Sequence, residues 1–278
     1  VRFSGDSGDG MQLAGNIFSN VSAGIGDEIS TFPDYPAEIR APQGTLGGVS
    51  GFQVHIGKGV HTPGDLADVL VAMNPAALKT NACYVKKGGV VIIDSDSFRA
   101  SDLEKAAFTT DDPIQEAGLS HAQIVPVAIT QMVKDSLADS GLDNKSIVRC
   151  KNMFALGLVC WLFDRPLEQA QHLLKNKFAK KPAIYEANAK VMRDGYNYGN
   201  NIHASVSTYR VESAQVKPGI YTDVNGNTAT AWGLIAASEK SGLPLFLGSY
   251  PITPATDILH ELAKRKDLGV KAIQVEDE

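Results

Sequence analysis

Gly5-Asp6-Ser7-Gly8-Asp9-Gly10 sets three glycines and two carboxylates between a short apolar run and the helical pattern Met11–Gly24. Glycines let a backbone turn tightly and approach a ligand, and the free N–H groups of a following helix start attract anions. Coenzyme or anion binding is one reading of this loop. A tight strand-to-helix turn with packing glycines is the other, and the residues alone leave both open. A dinucleotide loop would read Gly-x-Gly-x-x-Gly, with an acidic ribose-binder about 20 residues on, at the end of the next strand. Here the spacing is Gly-x-x-Gly-x-Gly, Asp27 and Glu28 precede the candidate strand, and Asp6 and Asp9 would repel a diphosphate. Gly8-Asp9-Gly10 also lacks the paired asparagines of a metal–diphosphate motif, because the first Asn-Asn is the distant Asn200-Asn201.

A second candidate is the long loop Asp34–Gly51, with Tyr35-Pro36-Ala37-Glu38-Ile39-Arg40 followed by Gln43-Gly44-Thr45-Leu46-Gly47-Gly48. Unstructured loops of this length are uncommon in compact domains and often functional. Arg40 is suited to hold a carboxylate or phosphate through two hydrogen bonds, and equally to pair with Glu38 and pin the loop. His55, His61, His121, His172, His203 and His260 show no paired spacing and read as ordinary core or surface residues. Cys83, Cys150 and Cys160 lack Cys-x-x-Cys spacing. That excludes an iron–sulfur or zinc site built from this chain's cysteines alone, and suits a reducing cytoplasm.

These residues need a scaffold, and the first two-thirds of the chain supplies alternating apolar runs and helical patterns. Strand-like runs fall at Phe3–Gly10 (passing into the glycine turn), Val49–Ile56, Val69–Met73, Val90–Asp94 and Gln123–Val127. Helical stretches fall near Pro75–Val85, Ser101–Ala107 and Ile129–Ser140. Such alternation predicts an α/β fold with a largely parallel sheet between helices. From Lys151 to Tyr198 the pattern turns helical: Asn152–Phe163 is apolar on most sides, Pro166 opens Leu167–Phe178, and Pro182 begins a third helix. Cys160 lies in the apolar run and reads as core. Asn200–Asn225 has no clear period and contains Pro218-Gly219, which marks a linker. Beyond it, Thr228–Ser241 and Ala255–Arg265 read as helices, Pro244–Leu247 and Val270–Val275 as strands, and Tyr250–Pro254 as a turn. Thr253 fits a helix N-cap, with Pro254 at the first helical position.

The 278 residues are 44% hydrophobic and 21% charged, with a net charge of −5. The acidic balance argues against nucleic acid or an anionic membrane as partner. The dense basic cluster Lys175, Lys177, Lys180 and Lys181 surrounds a helix end, where it compensates the dipole. No apolar run approaches the roughly 20 residues that span a bilayer, and no charged-then-apolar signal segment opens the chain. Val1–Phe3 reads as the tail of a strand.

At this point the order of motifs resembles one family. The strand–Gly5-to-Gly10–helix opening, Pro36-x-Glu38-x-Arg40 with its glycine-rich continuation, and Asn152-x-x-Ala155-Leu156-Gly157 are similar to the γ-type domain of 2-oxoacid:ferredoxin (acceptor) oxidoreductases. Asn225-Gly226-Asn227-Thr228-Ala229-Thr230-Ala231, then Ser249-Tyr250-Pro251-Ile252-Thr253-Pro254, resembles the start of that family's pyrimidine-binding domain. The order of the two resembles α-type subunits of the 2-oxoglutarate kind. The resemblance implies a three-layer γ-type domain over 1–205, a linker over 206–224, and at 225–278 an incomplete thiamine-pyrimidine-binding α/β domain, so that the chain is a subunit fragment, inactive alone.

The resemblance also implies a chemistry: oxidative decarboxylation of a 2-oxoacid, with 2-oxoglutarate expected, to an acyl coenzyme A, electrons passing through iron–sulfur clusters to ferredoxin. Thiamine diphosphate would be shared with a β subunit in a hetero-oligomer. Mg²⁺ and the clusters would sit on partner domains or subunits. By resemblance Glu278 is the carboxylate that hydrogen-bonds the aminopyrimidine nitrogen and favours its imino tautomer, with Glu276 the second choice. Without the resemblance, Glu276-Asp277-Glu278 at a strand end reads as a solvated turn. Tyr250, Pro251, Ile252 and Thr253 would border the cofactor, Thr253 offering its hydroxyl to the 2-oxoacid. Gly5, Gly8, Gly10 and Arg40 are candidate contacts for coenzyme A. Two other readings stand beside this one: a free-standing nucleotide-binding α/β reductase, and a non-catalytic assembly module.

Overall fold

A computed structural model describes residues 1–37, 41–202, 208–214, 217 and 219–276. The chain forms two compact units, Val1–Lys217 and Pro218–Glu278. The first runs β1 (Arg2–Asp6), α1 (Met11–Gly24), β2 (Glu28–Asp34), β3 (Val49–Gly57), β4 (Ala67–Ala72), α2 (Pro75–Asn81), β5 (Val85–Asp94), α3 (Ala100–Lys105), α4 (Pro113–Glu116), β6 (Gln123–Val127), α5 (Ile129–Ser136), α6 (Asn144–Val148), α7 (Lys151–Leu162), α8 (Leu167–Lys177) and α9 (Pro182–Ile202).

The sheet order is β2-β3-β1-β4-β5-β6. β1–β4, β4–β5 and β5–β6 are parallel, while β3 runs antiparallel to both β1 and β2. The expected parallel sheet is therefore present as the larger part of a mixed one. The candidate strand that follows α1 forms as β2, a half-buried edge strand that includes Pro33, a residue tolerated at sheet edges.

Successive residues of the central strands point to opposite faces, and each face has its own core. Val69, Val71, Val90, Ile92, Val125 and Val127 join residues of α1, α5, α7, α8 and α9 in one cluster. Leu70, Ala72, Val91 and Ile93 join α2 and α3 in the other. The result is three layers, helices on both faces of the sheet. α7 has every residue buried except half-buried Lys151, as its continuous apolar run requires. It crosses α9 at glycines: a methyl on Gly157 would overlap the Met192 carbonyl oxygen, and one on Gly195 the Phe154 carbonyl oxygen. Residues 208–214 lie on this unit, with the Tyr209 ring stacked on Phe163 at 4.9 Å and the Ala214 N–H bonded to the Gly26 carbonyl (2.9 Å).

The second unit comprises α10 (Gly226–Ser241), β7 (Phe246–Ser249), α11 (Thr256–Ala263) and β8 (Lys271–Gln274), with β7 and β8 paired in parallel. Asn225 caps α10 by accepting the Thr228 N–H (2.9 Å), and Gly242 ends it in the left-handed conformation (φ 71°). Its core is small: Ala231, Leu262 and Val270, supported by Ile235, Leu245, Leu247, Ile258 and Ala272. No helix among the described residues is long and apolar enough to cross a membrane.

Candidate functional site

The glycine loop leaves the C-terminal end of β1. From β1 the chain passes to α1 on one face of the sheet, and from the adjacent parallel strand β4 to α2 on the other. Adjacent parallel strands whose connections part in this way leave a crevice at their carboxyl ends, where α/β proteins bind ligands. Gly8 (φ 107°) and Gly10 (φ 77°) have left-handed backbone that side chains disfavour, and a methyl on Gly10 would also overlap the Asn152 amide. The start of α1 has neither a side-chain cap nor an acidic residue in its first turn. The uncapped N–H groups of that first turn therefore suit an anion.

The two loops singled out in the sequence meet here. Both oxygens of Asp6 accept the Gly44 N–H (3.0 and 3.1 Å), and the Ser7 N–H donates to the Gly48 carbonyl (3.0 Å). Asp9 turns inward: Oδ2 accepts the Asp6 N–H (3.1 Å), and Oδ1 lies 3.3 Å from Nζ of Lys151. The expected repulsion of a diphosphate is thus reduced, because Lys151 balances Asp9 and Asp6 is bonded to its neighbours. Burial pushes the Asp6 carboxyl above its ordinary value and the Asp9 charge adds to the rise, against bonds from Gly44 and Asn74. Nδ2 of Asn152 donates to the Gly10 carbonyl (3.1 Å), while its Oδ1 is buried without a partner among the described residues.

The nucleotide-reductase reading loses its main support. The strand that follows α1 is β2, which is antiparallel to β3 and lies at the sheet edge, two places from β1. β1 and β2, each antiparallel to the β3 between them, run parallel, but the crossover through α1 sets the acidic end of β2, Asp34, one strand away from β1, where it pairs with Arg2 (2.5 Å). Asp27 is spent on a buried ion pair with Arg165 (2.6 Å), and Glu28 accepts the Val60 N–H (2.9 Å). Arg40 and its possible partner Glu38 lie outside the described residues.

In the second unit, β7 and β8 end side by side at Ser249 and Gln274, and the Val275 N–H donates to the Ser249 carbonyl (3.0 Å). The Tyr250–Pro254 turn and the acidic tail thus leave the same, carboxyl end of a parallel pair. Tyr250, Pro251, Ile252 and Thr253 are all exposed. The turn is anchored by its backbone: the Ile252 carbonyl accepts the N–H (2.9 Å) and hydroxyl (3.0 Å) of Thr256, and Asn227 Nδ2 donates to the Pro254 carbonyl (2.9 Å). The N-cap expected of Thr253 is not formed. α11 starts at Thr256 with Ala255 in the cap position, because Pro254 and Ala255 complete a turn before the helix begins. Thr253 Oγ1 has no hydrogen bond among the described residues. Glu278 lies outside them, while Glu276 is exposed just after β8.

Sequence reasoning missed Lys151 and Asn152 as partners of the glycine loop. Their signal was a polar pair opening an otherwise apolar helix. Among the described residues no three His, Cys, Asp or Glu side chains form a group able to hold a metal. Cys160 is buried as expected, and burial pushes its thiol up to about 12.

Known proteins supply the rest of the assignment. Over its full length the chain is 48% identical to the 2-oxoglutarate oxidoreductase subunit KorA of Mycobacterium tuberculosis, of which it covers 43%. It is 26% identical over 200 residues, 71% of the chain, to the common subunit gamma of the pyruvate/ketoisovalerate oxidoreductases of Thermococcus kodakarensis, covering 95% of that protein. Among solved structures, 99% of the chain superposes on 43% of the 2-oxoglutarate:ferredoxin oxidoreductase from Magnetococcus marinus, with a TM-score of 0.72 and 25% identity. That structure holds 2-oxoglutarate, coenzyme A and succinyl-CoA. The chain spans less than half the length of the Mycobacterium and Magnetococcus proteins it matches. A family model described as pyruvate ferredoxin/flavodoxin oxidoreductase matches residues 1–198, and the chain belongs to that family.

Proposed function

We propose that the chain forms part of the α-type subunit of a thiamine-diphosphate-dependent 2-oxoacid:ferredoxin oxidoreductase, and that the enzyme converts 2-oxoglutarate to its acyl coenzyme A. The observation that carries this reading is the 48% identity, over the whole chain, to a subunit of a 2-oxoglutarate oxidoreductase. The second unit fits a thiamine group in the character of its donors: a turn fixed by its backbone, an unbonded Thr253 hydroxyl, and an acidic tail leaving the same strand ends. When bound, thiamine diphosphate supplies the carbon nucleophile and the electron sink for loss of CO₂. Glu278 is the residue proposed to accept a hydrogen bond from the protonated aminopyrimidine nitrogen, with Glu276 the second choice. Tyr250, Pro251 and Ile252 offer exposed surface against the ring, and Thr253 a hydroxyl toward the 2-oxoacid.

In the first unit, Gly5, Gly8, Gly10 and Arg40 are proposed contacts for coenzyme A, whose phosphates suit the uncapped start of α1. The diphosphate-bound Mg²⁺ and the iron–sulfur clusters belong, on this reading, to other domains or to the β subunit. The assembly is a hetero-oligomer of the cytoplasm that passes electrons to ferredoxin.

The test is viologen reduction by the complete subunit co-expressed with its β partner, supplied with coenzyme A and a panel of 2-oxoacids. Activity on 2-oxoglutarate that collapses in Glu278→Gln is expected. No activity on any 2-oxoacid, in an assembled complex with its clusters loaded, would overturn the proposal in favour of an assembly module.

A further inference from the structure

Behind the glycine loop lies a pair of side chains that the reading above does not use. Lys151 and Asn152 open α7, about 140 residues downstream of the loop they touch. Lys151 is mostly shielded from solvent and pairs with the equally shielded Asp9 at 3.3 Å. Asn152 is 3% exposed and donates to the Gly10 carbonyl at 3.1 Å.

The bookkeeping of that amide is informative. The Gly10 carbonyl already accepts the Ala14 N–H (3.0 Å), the first bond of α1, so it does not need Asn152 for satisfaction. Oδ1 of Asn152, meanwhile, is buried with no partner among the described residues. A buried, unpaired carbonyl oxygen is a cost that an apolar side chain of the same shape would remove. Asn152 is thus a poor choice for stability and a good one for fixing where the Gly10 peptide points. Gly10 has the left-handed backbone that turns the chain into α1, and the missing side chain on Gly10 is what lets the Asn152 amide approach.

We propose that Lys151 and Asn152 are positioning residues that hold the Gly5–Gly10 loop in the shape that receives an anionic co-substrate at the start of α1. Lys151 acts through Asp9, drawing that carboxylate inward onto the Asp6 N–H and away from the anion. Asn152 acts through Gly10, fixing the plane of the peptide that leads into the first turn. The inference rests on the reading of this loop as a coenzyme A contact.

The experiment uses the complete subunit with its β partner and three variants: Asn152→Leu, Lys151→Met and the conservative Lys151→Arg. Amide hydrogen exchange over residues 8–13 reports loop shape, and the KM values for coenzyme A and for the 2-oxoacid report its use. Asn152→Leu is expected to match or exceed the parent in melting temperature, to exchange faster in the loop, and to raise the KM for coenzyme A by about tenfold. The KM for the 2-oxoacid should not move. Lys151→Met should behave likewise in exchange and KM, and Lys151→Arg should restore both.

Unchanged loop exchange in both Asn152→Leu and Lys151→Met overturns the inference. So does a fall in the melting temperature of Asn152→Leu without a change in the coenzyme A KM, the mark of a purely structural residue. Gly8→Val separates the two readings. If it too leaves the coenzyme A KM unchanged, the coenzyme assignment of the loop falls, while faster exchange in the α7 variants still supports the clamp.

Discussion

Replacing Gly157 by alanine pits two effects of opposite sign against each other. Alanine is the better helix former, worth about 1 kcal/mol in an exposed helix interior. At this site, however, the new methyl would overlap the Met192 carbonyl oxygen and come within 2.9 Å of both the Met192 carbonyl carbon and the Tyr196 nitrogen. Ordinary contacts of a Cβ begin near 3.4 Å, so clearing the Met192 oxygen requires α7 and α9 to part by more than about 1 Å. All three obstructing atoms are backbone, and none can rotate aside. Overpacking of this kind costs roughly 1–3 kcal/mol, and the fixed partners put Gly157→Ala at or above the top of that range. The net expectation is a destabilisation of about 2 kcal/mol. With a urea m-value of roughly 2–3 kcal/mol/M, the midpoint should fall by about 0.7–1 M. Fluorescence in a Trp232→Phe background leaves Trp161, itself on α7, as the reporter for the first unit. Gly233→Ala on α10, read by Trp232 in a Trp161→Phe background, is the control, since nothing lies within 4 Å of its added methyl and only the propensity gain should be felt. A Gly157→Ala midpoint equal to or above the parent would refute the reasoning.

Other expectations follow from single side chains. Arg165→Leu leaves the Asp27 carboxylate, whose side chain is 0% exposed, without its partner; urea denaturation should show a loss of about 3–5 kcal/mol, largely recovered when Asp27→Asn is added. Glu116 accepts N–H groups from Thr109 and Thr110 and pairs with Lys79; although burial pushes its carboxyl up, these bonds bring it down to about 2. Its stabilisation is therefore full above the ordinary glutamate pKa and lost as pH falls through about 2, so acid denaturation of parent and Glu116→Gln should differ at pH 5 and converge at the acid limit. Burial pushes the Cys150 and Cys160 thiols up to about 11 and about 12, whereas Cys83 is exposed. Iodoacetamide should accordingly label the native chain at Cys83 alone, and mass spectrometry should find all three labelled only after denaturation. Thr253→Val should leave melting unchanged, because the hydroxyl has no hydrogen bond among the described residues, yet cut turnover of the complete enzyme at least about tenfold.

Legibility in the sequence followed the range of the interactions concerned. α7 was plain because its apolar run is long and unbroken, and β4 and β5 because strands buried on both faces carry continuous aliphatic runs. β2 was legible only faintly: half-buried, short of aliphatic residues and carrying Pro33, it is held as a strand by its pairing with β3. The glycine loop could be found but not interpreted. What decides its electrostatics is Gly44 on Asp6 and Lys151 on Asp9, contacts that no local pattern announces. Thr253 shows the opposite failure, a good local signal overruled. Thr-Pro followed by Thr256-Asp257 has the composition of a helix start, but the helix begins two residues later, at Thr256, which bonds back to Ile252.

The distance along the chain between Gly10 and Asn152 has a consequence for synthesis. The 142 residues that separate them take roughly 7–28 s to translate at about 5–20 residues per second. During that interval β1 and α1 are already outside the ribosome, with Phe3, Phe18 and Val21 lacking the helices α7 and α8 that cover them in the finished fold. Arg165, which closes the Asp27 pair, arrives later still. The nascent N-terminal third must therefore be shielded by chaperones or remain loosely collapsed until α7 emerges, and ribosome stalling between residues 80 and 150 should leave it open to protease attack.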